Sequence, residues 1–283
     1  MFALAVGGIA AGQQRVLGPP IRWRPERPQE GSLVAVRVAA PWASVRGVAA
    51  GEPLHFAAAP GDSDCWALAP IPLGSGDTVV AHIVLSRADG SEDTVTLRIA
   101  VIRRVVDTQF LQTPAAFATP PDSALASRIA AERDSARAVR RRSHLNPRFW
   151  VEPFRRPVAG RVTTPFGQWR VWGKTVEGRH DGVDLASAKG VPVRAASRGV
   201  IALVARQYYG GLTVLIDHGA GLVTSYQHLS AASVAVGDTV ASGQVIGRVG
   251  ATGRVTGPHL HWGASYGTIT VDPFVLLDPE LAP

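Results

Sequence analysis

At 283 residues the chain is about two domains long, and its 46% hydrophobic residues supply enough apolar material for a sizeable core, which excludes disorder as the main state. Lys and Arg outnumber Asp and Glu by 29 to 22, and the net charge of +7 points to an anionic partner such as nucleic acid, a membrane surface or an acidic cell-wall polymer. The single cysteine, Cys65, excludes an internal disulfide framework and any metal cluster built on several thiolates, so a metal here must be held by His and carboxylate.

The chain opens on an apolar run, Phe2 to Ala11, about half the roughly 20 residues a membrane-spanning helix needs. Its composition resembles the apolar region of an export signal without the charged leader, so residues 1–30 are expected to be a signal or N-terminal segment and the protein to be exported to the periplasm or cell envelope. Residues 31–106 read as short strands (SLVAVRV, PLHFAAA, WALAPIPL, TVVAHIVLS, TVTLRIAVI) separated by turns such as PGDSD and ADGSED. That pattern predicts a small Ig-like antiparallel β-sandwich. It holds no clustered titratable groups, so a spacing, folding or binding role is expected, with His55 and His82 as ordinary packed or surface histidines.

Residues 107–156 read as a linker with a basic helix. Thr113–Pro121 (TPAAFATPP) breaks regular structure, Asp122-Ser123 can cap a helix, and ALASRIAAERDSARAVRRR is rich in helix formers. Six arginines against three carboxylates make the segment basic, yet no stacking aromatics accompany them. A solvated connector is therefore expected and nucleic acid is not an expected partner.

From residue 157 to 278 the pattern is β again and dense in glycine, which predicts a glycine-rich β-sheet domain of barrel-sandwich type with few helices. The fold as a whole is expected to be mainly β. Five of the eight histidines lie between His180 and His261. In HDGVD, His180 and Asp184 are four positions apart across a glycine; in HLH, His259 and His261 are two apart, and along a strand such spacings face one side. YQHLS adds His228 at a strand end. Two imidazoles and a carboxylate suit catalytic zinc, which keeps a fourth position open. Five candidate groups exceed the three required, and the surplus suits hydrolysis, which needs a base and a transition-state donor.

HDGVDLA, SYQHLS and TGPHLHWG resemble the HxxxD, YxHLS and GPHLHF signatures of the LytM/lysostaphin-type zinc metallopeptidases, the M23 peptidases. The flanks GRVTTPFG, AASRGVIALV and VGDTVASGQVIGRVG extend the resemblance over about residues 157–278. It implies a single Zn²⁺ per chain held by His180, Asp184 and His261. His228 and His259 are then the catalytic pair, with His259 as general base and His228 orienting water or stabilising the transition state, the two roles being exchangeable. The implied activity is hydrolysis of peptide cross-links in peptidoglycan. The alternative is a non-catalytic LytM-like module that binds cell wall or activates an amidase, though relatives of that kind lose metal ligands that this chain keeps. A lipoyl-like or biotinyl-like carrier hairpin would need a lysine, and residues 233–250 contain none.

His218 matches a non-ligand position and is expected to be structural, and Tyr226 is expected to be at most a wall residue. Members often carry FGxR, whereas Phe166-Gly167 is followed by Gln168-Trp169-Arg170, which leaves a substrate contact by Arg170 open. Tyrosine is absent between Pro157 and His180, so the auxiliary donor of some relatives is unassigned. The N-terminal half resembles that of some multi-domain members and could regulate the site intramolecularly.

Overall fold

The computed structural model describes residues 21–58, 64–173 and 175–282, so residues 1–20 of the expected signal or N-terminal segment, its apolar run included, lie outside the described residues. Two four-stranded antiparallel sheets come first. One runs in the order Ile21–Arg24, Leu33–Val38, Cys65–Pro70, Ala57–Ala58, and the other Glu52–Leu54, Ser44–Ala49, Thr78–Ser86, Glu92–Ala100. Thr78–Ser86 shows why: Val79, Ala81, Ile83 and Leu85 are buried while the residues between them are not, the period-two signature of a half-buried strand. Leu33–Val38 is instead buried on nearly every residue, because the C-terminal turn Pro279–Leu281 packs against it. The first sheet thus begins at Ile21, ten residues ahead of the expected boundary, since Ile21–Arg24 pairs with Leu33–Val38.

The second half is built on a sheet in the order Val162–Thr164, Gly182–Ala186, His259–Tyr266, Leu222–Leu229, Gly211–Asp217, Gly199–Gln207, Thr239–Val240, with Ile269–Val271 pairing to His259–Tyr266. A smaller sheet, Thr175–Arg179, Trp169–Trp172 and Thr108–Leu111, stands beside it.

The segment read as a linker is part of the packed structure. Thr108–Leu111 adds parallel to Trp169–Trp172. Helix α1, Ser123–Arg142, is capped by the Asp122 carboxylate accepting from Leu125 N–H, and Val139 seats it on Leu215 and Val223. Trp150 and Phe154 are buried and form an aromatic chain, Trp66 to Trp150 to Phe154 to His218, with ring centroids 5.9, 5.4 and 4.8 Å apart. Residues of both halves belong to one hydrophobic cluster as a result.

Two polar clamps complete the junction. Glu52 accepts from Thr268 N–H (2.8 Å) and Thr268 Oγ1 (2.7 Å) with one oxygen, and from His144 Nε2 (3.0 Å) with the other. His55 Nε2 then donates to His144 Nδ1 at 2.8 Å, so His55 is a junction residue and not a lone histidine. Gly267 makes room for the Glu52 carboxylate: its φ of +51° and the space a Cβ would occupy both exclude a larger side chain. In the second clamp Arg104 pairs with Asp272 at 3.0 Å and donates through Nε to the Glu30 carbonyl at 2.8 Å.

His218 is fully buried. Nδ1–H donates to the Arg198 carbonyl (2.7 Å) and Nε2 faces Thr224 Oγ1 (2.8 Å), which lies 3.0 Å from Tyr226 Oη. Tyr226 also accepts from Ala196 N–H, so it belongs to this core network and is not a wall of the site. His218 is the structural histidine the sequence suggests.

Two predictions follow from these buried groups. Arg104→Met leaves the nearly buried Asp272 without its partner and should lower the unfolding free energy by about 3–5 kcal/mol in urea titrations. Burial lowers His218 from its usual 6.5 to about 4, so between those values the unfolded chain binds a proton the native state excludes. Stability therefore rises with pH through that window; His218 should remove about 3 kcal/mol as pH falls from 7 to below 4, and the loss should be absent in His218→Gln.

Candidate metal centre

One strand pairing sets the geometry. Gly182–Ala186 runs antiparallel to His259–Tyr266 in a register that places Asp184 opposite His261, Ala186 opposite His259 and Gly182 opposite Gly263. His261 also lies opposite Gln227 of Leu222–Leu229, so it occupies the middle of three strands. Gly182 is required there: a Cβ would stand 2.7 Å from His261 Nε2 and 2.6 Å from the Trp262 carbonyl oxygen. His180, just ahead of the strand, is tied down by its N–H donating to the Gln168 carbonyl and by Gly167 N–H donating to its own.

His180, Asp184 and His261, all buried, bring three ligand atoms together. His180 Nε2 lies 3.1 Å from Asp184 Oδ1, His261 Nδ1 lies 3.0 Å from the same oxygen, and the two nitrogens are 2.9 Å apart. The outer partners fix the tautomers. His180 Nδ1–H donates to the Pro165 carbonyl at 3.0 Å, and His261 Nε2 faces Asp181 Oδ1 at 3.4 Å. Both inner nitrogens are then lone pairs aimed at a carboxylate oxygen, a set of mutually repelling donors that a cation would reconcile. Arg170 pairs with the other oxygen, Asp184 Oδ2, which orients the carboxylate.

His228 and His259 stand beside this cluster, their ring centroids 4.8 Å apart, with His228 6.0 Å from His261. His259 Nδ1–H donates to the Gly257 carbonyl and His228 Nδ1–H to the Thr252 carbonyl, each at 2.9 Å. Nε2 is therefore the basic nitrogen in both, and His259 Nε2 lies 3.7 Å from Asp184 Oδ1. Burial foremost, then repulsion from His259 and His261, lowers His228 to about 3; burial likewise lowers His259. Both are neutral bases near neutral pH. His228 is aimed by its backbone: its φ of +63° is rare for a residue with a side chain and coincides with a register slip against Gly211–Asp217.

All five residues named from the sequence thus gather in one place. A cavity of about 300 Å³ runs past Asp184, His228 and His259, and another of about 380 Å³ runs past His228 and His261; Arg170, Trp172, His228 and Arg254 border both. The Arg254 guanidinium is stacked between Trp172 (4.6 Å) and Tyr209 (4.3 Å). Sequence reading missed Gln109 and Leu111, which reach the first cavity because Thr108–Leu111 pairs with Trp169–Trp172, a parallel addition without a local signal. It also missed Trp172 and the anchoring of Asp184 by Arg170.

Residues 178–273 match the profile of Peptidase family M23. The chain is 42% identical over 143 residues to the DD-carboxypeptidase/endopeptidase Mpg of Neisseria meningitidis serogroup B, an alignment covering 47% of this chain and 30% of Mpg. It is 46% identical over 83 residues to the peptidoglycan DD-endopeptidase ShyA of Vibrio cholerae serotype O1, covering 29% of this chain and 19% of ShyA. The chain thus spans less than a third of either relative. A solved structure of a protein assigned to peptidase M23 from Pseudomonas aeruginosa superposes with a TM-score of 0.67 at 26% identity, covering 90% of this chain and 96% of that one. Through the domain that carries the five-residue site, this chain belongs to the M23 family of metallopeptidases.

Proposed function

We propose that the chain is a zinc endopeptidase that hydrolyses peptide cross-links of bacterial peptidoglycan. The observation that carries this reading is the convergence of His180 Nε2, Asp184 Oδ1 and His261 Nδ1 beside two neutral imidazoles in an open groove. The printed activities of Mpg and ShyA support the substrate class.

In this reading His180, Asp184 and His261 hold one Zn²⁺ per chain. Two imidazoles and a carboxylate fit zinc, which when bound polarises the scissile carbonyl and eases deprotonation of the attacking water. The remaining work belongs to the protein. His259 Nε2, on the rim of the first cavity and facing Asp184, takes the proton from the attacking water and later gives it to the leaving amine. His228, pinned at Nδ1, orients that water or stabilises the transition state with Nε2, and the two histidines can exchange these roles. Arg170 keeps Oδ2 of Asp184 occupied, so that Oδ1 is the oxygen presented to the cation.

Peptidoglycan as substrate places the protein at the cell envelope, by export to the periplasm in this reading; among the described residues no helix is long and apolar enough to cross a membrane. Among the described residues none from 31–106 lines either cavity, and the part of the N-terminal half that reaches the groove is Thr108–Leu111. Intramolecular regulation by the N-terminal domain would in this reading reach the groove through that strand.

Purified protein should hold close to one zinc per chain by elemental analysis, and His180→Ala or Asp184→Ala should abolish that stoichiometry. Dye-labelled peptidoglycan should be solubilised by the zinc-loaded protein, not after chelation, and again once zinc is returned; a zinc-replete protein that releases no dye would overturn the reading. His259→Ala should keep its zinc and lose about 10²–10⁴ in kcat, the range for removal of a positioned general base.

A further inference from the structure

Helix α1 is a wall of the second cavity, not a solvated connector. Ile129, Glu132, Arg133, Ala136, Arg137 and Arg140 recur at the spacing of one helical face, and all of them line the cavity of about 380 Å³ that also holds His261, His228 and Asp181. Ile129 and Val139 are buried, so the helix is held firmly against the catalytic sheet.

The charges on this wall are only partly matched within the protein. Glu132 is committed elsewhere: Oε1 accepts from Arg128 at 2.8 Å and Oε2 from Tyr208 N–H at 2.8 Å. Among the described residues Arg133 and Arg137 have no carboxylate partner. The Nε–H donors of Arg140 and Arg170 are buried and reach no acceptor. Burial works against the charge of Arg140, Asp181 offsets this only in part, and Arg137 adds repulsion. Arginines that repel one another along one face gain nothing from that arrangement unless an anion is brought to them.

We propose that this cavity is a carboxylate-binding subsite, in which Arg133, Arg137 and Arg140 receive an acidic group of the peptide on the side of the scissile bond that runs past α1. This rests on the peptidase reading above. The guanidinium fork matches a carboxylate with two parallel hydrogen bonds, and the cavity meets the catalytic groove at His228 and Arg170, within reach of a peptide seated at the metal centre. The subsite makes the enzyme selective for acidic over amidated peptides.

The test uses the full-length, zinc-loaded protein and a pair of cross-linked tetrapeptide dimers, one with free carboxylates and one with the same carboxylates amidated. The acid should be cleaved with a kcat/KM at least about tenfold higher, and in Arg133→Gln/Arg137→Gln, both exposed positions, that ratio should fall toward one. Equal cleavage of the two dimers, or a preference that survives the double substitution, overturns the subsite while leaving the peptidase reading intact. Cleavage of neither overturns the peptidase reading. Calorimetry on chelator-treated protein then decides the subsite alone: the acid dimer should bind more tightly than the amide and lose that advantage in the double variant. Equal binding overturns it, as does tighter binding of inorganic phosphate than of the acid dimer.

Discussion

The candidate site rests on the pairing of Gly182–Ala186 with His259–Tyr266 in the register that sets Asp184 against His261. A shift of one residue would turn Asp184 or His261 to the opposite face of the sheet. Several local features exist to protect that register. Gly182 and Gly263 face each other where the His261 ring needs room, and the left-handed backbone of His228 turns a further imidazole toward the same point. The strain of such a conformation, about 1–3 kcal/mol, persists only where the surrounding structure over-determines it. Here the surroundings are the strands that pair on either side of the slip and the hydrogen bonds that His228 makes to Gly210 and Thr252.

The groups that hold the outer atoms of these side chains turn proximity into chemistry. Pro165 and Asp181 select the tautomers of His180 and His261, Arg170 occupies one oxygen of Asp184, and Gly257 and Thr252 fix His259 and His228. Backbone carbonyls hold three of the four imidazoles, and a carbonyl can only accept. The inward nitrogens are therefore basic by construction, before any cation is considered.

The four histidines and one carboxylate of the site were legible because strand periodicity and short spacing carry them: His259 and His261 alternate along one strand, and His180 and Asp184 lie just ahead of and within its neighbour. The long-range additions were not legible. Thr108–Leu111 reads as part of a linker because its parallel partner lies about 60 residues later, and nothing in TQFL specifies Trp169–Trp172. His55 looked solitary for the same reason, its partner His144 being 89 positions away. The segment between the halves was misjudged because Trp150 and Phe154 stand among Arg, Pro and Asn, a composition typical of linkers, while their burial depends on surfaces contributed by Trp66 and His218. Tyr226 follows the opposite logic: its motif suggests the groove, but strand alternation from His228 is broken by the slip at that residue, and the ring turns into the core.

The excess positive charge likewise acquires structure. Arg104 is spent on the junction, where Asp272 neutralises it and the Glu30 carbonyl accepts its Nε–H, and Arg170 on Asp184. Arg148 and Arg254 lie on aromatic faces, where a guanidinium is favoured by the ring quadrupole as well as by packing. Among the arginines that remain, Arg133, Arg137 and Arg140 stand together on one face of α1 and line the cavity that meets the catalytic groove. Surface charge screened by salt over about 8 Å can steer a polymer but cannot select a bond. A guanidinium array that shares a wall with the metal centre can select one, because the same substrate must satisfy both at a fixed separation. In the subsite reading this part of the positive charge acts as local recognition at the groove, while the arginines elsewhere on the surface supply the diffuse affinity for an anionic envelope.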